Sequence, residues 1–111
     1  MDEKKIIRLG VCYNNDESDS FDIYKDGNPE RILWSQTSLE LGHIFYCSLL
    51  NGEQSREEYE KADLIEIIPL EGIGTRPAKP EELGGLISAI AETVGKDVLL
   101  KFKPKKLEEI K

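Results

Sequence analysis

The sequence predicts a single small α+β domain over residues 1–111. It comprises a mixed sheet of three to five strands, an N-terminal β-hairpin, a central buried helix over about residues 38–50 and a C-terminal βαβ unit over about 64–103. Three observations carry that prediction. A β-branched run and an alternating apolar–polar run near the N-terminus flank a polar cluster. The run Thr37–Gly52 is the most continuously apolar stretch that also has helix start and stop signals. From Leu64 to Phe102 the order is strand–loop–helix–strand, long enough for the roughly 30 residues a βαβ unit requires.

Taken in order, Ile6–Tyr13 is rich in β-branched residues and reads as a first strand. Asn14–Ser20 is polar and reads as a loop, and Phe21–Tyr24 alternates as a half-buried second strand should. Asp26-Gly27 followed by Pro29 is a turn, because Gly tolerates positive φ and Pro cannot continue a ladder. Glu30–Gln36 fits either a strand extending a meander or the first turns of a helix. A strand is preferred, since Thr37-Ser38 is the better helix start.

On a wheel of 100° per residue, Leu41, Ile44, Phe45, Ser48 and Leu49 of the central helix form one apolar face. Leu39, Tyr46 and Leu50 form a second, and Glu40, His43 and Cys47 share the remaining sector. A helix apolar on two faces is normally covered on both. Ser55 with Glu58 has capping-box spacing and opens a short helix to about Ala62. Asp63–Leu70 reads as a buried strand, and Glu71–Pro80 as a loop. Pro80-Glu81-Glu82 starts a helix that Gly95 closes, with Gly84-Gly85 inside it to permit close packing. Asp97–Lys103 reads as the last strand, and the basic tail 104–111 as a short helix or frayed end.

A chain of 111 residues buries roughly 65% of its unfolded surface, enough for one core. No run approaches the ~20 apolar residues of a membrane span, and the first residues lack the apolar stretch of a secretory signal. Two cysteines, Cys12 and Cys47, lie far apart in apolar segments, as two reduced thiols would. A cytoplasmic location is therefore expected. The net charge of -7 argues against nucleic acid as a partner, because phosphate binding wants a basic surface. That charge is uneven: Lys96–Lys111 holds six lysines against three acids, a net of +3, leaving -10 for residues 1–95.

Three places could carry chemistry. Glu40, His43 and Cys47 stand at helical spacings, so a carboxylate, an imidazole and a thiolate could meet a metal, with Cys12 as a fourth ligand, or His43 could activate Cys47. Paired Cys or His motifs are absent, and a packed helix with a hydrogen-bonded histidine explains the same residues. The loop Glu71–Pro80 is the second place. Gly72 and Gly74 let backbone N–H groups approach an anion, Thr75 offers a hydroxyl and Arg76 a bidentate fork. The loop matches neither a dinucleotide fingerprint nor a P-loop, and a Pro-stiffened connection explains it equally. Third, the acidic loop Asn14–Asp22 alternates Asn14, Asp16 and Ser18 like early calcium ligands, but lacks the Gly and late Glu of an EF-hand.

No cofactor is expected. One histidine and carboxylates without context are a thin inventory for an enzyme. The preferred function is a non-enzymatic module that binds another protein or itself, with no membrane and no nucleic-acid partner. It rests on the two-faced helix 38–50. The alternatives are an anionic small molecule at Gly72–Arg76, and a metal or thiol site at Glu40, His43 and Cys47.

Overall fold

The computed structural model describes residues 4–16 and 19–107. Its seven strands are β1 (Ile6–Asn14), β2 (Ser20–Lys25), β3 (Arg31–Ser35), β4 (Leu64–Glu71), β5 (Thr75–Pro77), β6 (Val98–Leu100) and β7 (Lys105–Lys106). Its helices are α1 (Leu41–Leu50), preceded by a 3-10 turn at Ser38–Glu40, then α2 (Arg56–Lys61) and α3 (Pro80–Val94). The main sheet runs β3-β2-β1-β4-β6, with β5 beside the end of β1 and β7 beside the end of β4. The N-terminal meander is antiparallel, while β1 with β4 and β4 with β6 are parallel. The fold is thus the expected α+β class with a mixed sheet, an N-terminal hairpin and a C-terminal βαβ unit.

Alternation along β1 sets the two layers. Ile7, Leu9 and Val11 face the helices and join Phe21, Ile23, Leu33, Ile65 and Ile67 in one core with Leu41, Phe45, Leu83, Leu86 and Ile90. Arg8, Gly10 and Cys12 point the other way, where a smaller cluster of Cys12, Ile68 and Leu70 contains no residue of α1–α3. Helices α1, α2 and α3 therefore all lie on one face of the sheet. On the other face Glu66 is buried beneath Arg8 Nε at 3.2 Å and Lys101 Nζ at 3.5 Å, and Asp22 is held by Arg31 Nη1 at 3.0 Å.

The start and stop chemistry is local. Ser55 Oγ accepts the Glu58 N–H at the start of α2, and Gly95 closes α3 in the left-handed region at φ 67°. The Lys79 N–H donates to Glu82 Oε1 at 2.8 Å, half of a capping box that satisfies one orphan donor of α3. Tyr59 of α2 is fully buried, edge-on to Phe45 with ring centroids 5.3 Å apart, and its hydroxyl donates to Gln54 Oε1. Burial pushes its phenol pKa far above the usual tyrosine range.

Four expectations are corrected. The start of the central helix is a 3-10 turn rather than α-helix, and Thr37 makes no side-chain cap. The loop Glu71–Pro80 contains the short strand β5, drawn in because the β1–β4 pairing stops at Val11 and Pro69 and leaves that edge of β1 unfilled at Cys12–Asn14. The last main strand is only Val98–Leu100. The tail begins as a strand: Lys105 and Lys106 pair in parallel with Leu70 and Glu71, and Leu107, already in helical conformation, packs on the second cluster. Ser18 and the last four residues of the tail lie outside the described residues.

Candidate functional site

Helix α1 buries one apolar face and leaves the other open. Leu41, Gly42, Phe45, Ser48 and Leu49 are buried, whereas Leu39, Leu50 and Tyr46 are 89%, 62% and 42% exposed. His43, Tyr46 and Leu50 stand at helical spacing on the open side of α1, and Leu39 on the preceding 3-10 turn is exposed beside them. The expectation that both faces are covered fails for the isolated chain, because α3 packs beside α1 rather than over it. Gly42 and Gly85 allow that approach: a Cβ on Gly42 would sit 2.5 Å from the Gly85 carbonyl oxygen.

Between the two helices runs a cleft of about 620 Å³, floored by Gly42, Gly85 and Ala89 and walled by Leu39, His43 and Tyr46. Arg56 lies at its rim, donating Nη2 to the Thr93 carbonyl at 2.8 Å. The wheel reading put His43 in a polar sector with Glu40 and Cys47; in the structure it shares the cleft wall with Leu39 and Tyr46. The small residues of the cleft floor were missed as a site. Their only sequence signal was Gly84-Gly85, which does not reveal that Gly42 sits opposite.

Of the metal or thiol set, only two members meet. His43 Nε2 lies 3.5 Å from Cys47 Sγ, one turn apart on the surface of α1. Glu40 forms no hydrogen bond or ion pair with either, and among the described residues no three His, Cys, Asp or Glu side chains are grouped to hold a metal ion. Cys12 is buried on the far face of the sheet and is not a fourth ligand. Neither cysteine forms a disulfide.

The Gly72–Arg76 loop is assembled, but its polar groups serve the fold. Arg76 donates Nη1 and Nη2 to the two Glu82 oxygens, each at 2.9 Å, and stacks 4.9 Å over the Tyr13 ring. That pairing raises the Arg76 pKa, and it holds the Glu82 carboxyl below its usual range, helped by the Lys79 N–H and opposed by partial burial. The Thr75 N–H donates to the Gly72 carbonyl and Asn15 N–H to that of Gly74, whose φ of 73° suits glycine. Thr75 Oγ1 is buried and makes no hydrogen bond among the described residues. It lines a groove of about 440 Å³ with Glu71, Gly72, Ile73, Arg76 and Lys106.

Two further concavities were not legible in the sequence, because they combine segments distant along it. One is an apolar cleft of about 320 Å³ among Pro77, Leu83, Leu100 and Phe102; the other is a basic groove of about 300 Å³ where Arg8, Lys101, Lys103 and Lys105 surround Glu66. Among the described residues no helix is long and apolar enough to cross a membrane. No protein-family model matches the chain, and neither a curated protein nor a solved structure shows significant similarity to it.

Proposed function

We propose that this chain is a small cytoplasmic protein-interaction module without catalytic chemistry, which binds another protein or a second copy of itself through the open face of α1. The observation that carries the reading is the stripe of Leu39, Tyr46 and Leu50, three large apolar side chains left in water beside a cleft with a small-residue floor. Single exposed apolar residues are ordinary, but an aligned set along one helix next to a hollow is the form of a helix-docking surface. Tyr is among the residues that most often anchor such interfaces, and the cleft beside it gives a partner side chain a place to enter. A reducing compartment agrees with two cysteines that form no disulfide.

Replacing Tyr46 with a photo-crosslinking phenylalanine analogue in cells tests this reading. Irradiation is expected to give a discrete adduct from position 46 and none from exposed Glu81, on the first turn of α3. Absence of an adduct at position 46 with the protein folded and abundant would remove the proposal.

A second reading, an anionic small molecule in the Gly72–Lys106 groove, is favoured by one observation, the buried hydroxyl of Thr75, which has no partner among the described residues. The engagement of Arg76 with Glu82 and of Lys106 with Glu71 at 3.6 Å weighs against it. Titration with inorganic phosphate, read by amide NMR shifts at Gly72–Arg76, tests it: shifts that saturate support the site, and unmoved signals end it.

A further inference from the structure

We infer that the apolar cleft between the start of α3 and the segment after β6 binds a small amphiphilic carboxylate, an alkyl or aryl acid with its apolar body against the proline walls and its head group on Lys79. The site uses no residue of α1, so it stands apart from the docking face. The cleft holds about 320 Å³, at the lower end of the ~300–1,000 Å³ of ligand pockets. Every uncharged residue that lines it is apolar, Ala78 and Leu83 being buried. Four of the chain's five prolines stand around it, Pro69, Pro77, Pro80 and Pro104. Their rings fix the backbone and present no N–H, so the walls are preformed and have few donors to strip of water when a ligand enters. Phe102 is 72% exposed, and an apolar body in the cleft would take part of that ring out of water.

Charge selects the head group. The three charged residues that line the cleft, Arg76, Lys79 and Lys101, are all cations, although the chain as a whole carries -7. Glu81, on the first turn of α3, is exposed and does not line it. A cationic ligand would meet only like charges there. Two of the three cations are already engaged: Arg76 holds both oxygens of Glu82, and Lys101 Nζ lies 3.5 Å from Glu66. Lys79 is exposed and forms no ion pair among the described residues. One free ammonium suits a monoanion. A phosphate would call for several donors, and Pro77 and Pro80 have no backbone N–H to supply them. An apolar body with a single carboxylate satisfies both the walls and the rim.

Titration with octanoate, and with 1-octanol as its uncharged counterpart, tests the site by amide NMR. Octanoate should give shifts that saturate at Ala78, Lys79, Leu83, Leu100 and Phe102. Lys79→Met keeps an apolar stem and removes the charge. It should weaken octanoate about threefold or more, as the loss of a partly exposed ion pair does, and leave octanol unchanged. Phe102→Ala should weaken both ligands about fivefold or more, because each loses the same apolar wall. Both positions are exposed, so circular dichroism should show the variants folded. Octanoate shifts that do not saturate, or that gather on α1 or on Gly72–Thr75 instead, overturn the site. Equal losses of octanoate and octanol in Lys79→Met, or no loss of either in Phe102→Ala, also overturn it.

Discussion

Arg76 and Glu82 form a two-pronged ion pair, with Nη1 on Oε1 and Nη2 on Oε2 at 2.9 Å each. The pair ties β5 to the first turn of α3, and it turns what reads as an anion-binding arginine into a structural brace. Because Arg76 depresses the Glu82 pKa, the folded state binds that proton less readily than the unfolded chain. The sign follows: the contribution is present above the ordinary glutamate range and is lost as pH falls through it and below. Urea denaturation between neutral and acidic pH should show stability falling on acidification. Glu82→Gln should be less stable than wild type at neutral pH, with the difference shrinking towards acid.

Thr75 carries a hydroxyl that is buried without a partner among the described residues. If the fold alone sets its environment, Thr75→Val keeps the shape, removes the unpaired group and suits a strand. A gain of about 1 kcal/mol is expected, a rise of roughly 4 °C or more in Tm by calorimetry. A loss of stability would mean that the hydroxyl has a partner in solution.

Adjacent glycines of α3 should respond differently from their counterpart on α1. A Cβ on Gly84 meets nothing within 4 Å, so Gly84→Ala should stabilise by up to ~1 kcal/mol. Gly42→Ala forces a Cβ against the Gly85 carbonyl and should cost about 1–3 kcal/mol. Chemical denaturation of the two variants reads both signs.

The legible part of the fold was that set by local chemistry. The β-branched and apolar run Ile6–Tyr13, the Ser55 cap, Pro80 at the start of α3 and Gly95 at its end each act within a few residues. What the chain concealed depends on distant segments. β5 forms because the β1–β4 pairing stops at Val11 and Pro69, and β7 because Lys105 and Lys106 fall beside Leu70 and Glu71. The site divides in the same way. Leu39, Tyr46 and Leu50 could be aligned on a wheel, whereas the hollow needs Gly85 and Ala89 from another helix. Arg76 looked available because Glu82 was read only as part of the helix start and not as its partner.

The face of the sheet away from α1–α3 holds a second ion pair whose two members differ in exposure. Asp22 is 1% exposed and also accepts the Ser20 hydroxyl at 2.7 Å, while the Arg31 side chain reaches solvent. Removing the cation should therefore cost more than removing both. Arg31→Ala should destabilise by about 2 kcal/mol, discounted from a fully buried pair because Arg31 is partly hydrated. Arg31→Ala/Asp22→Asn should recover part of that loss in a double-mutant cycle.

The open face of α1 is most directly tested by amide NMR spectra of the labelled wild-type protein, recorded alone across a wide concentration range and again with unlabelled lysate of its source cells. The account predicts shifts or broadening in at least one series at Leu39, His43, Tyr46, Leu50 and the cleft residues Gly85 and Ala89, with the far face of the sheet unmoved. Spectra that change in neither series, or changes that cluster around the sheet edge or the basic groove instead, would contradict it.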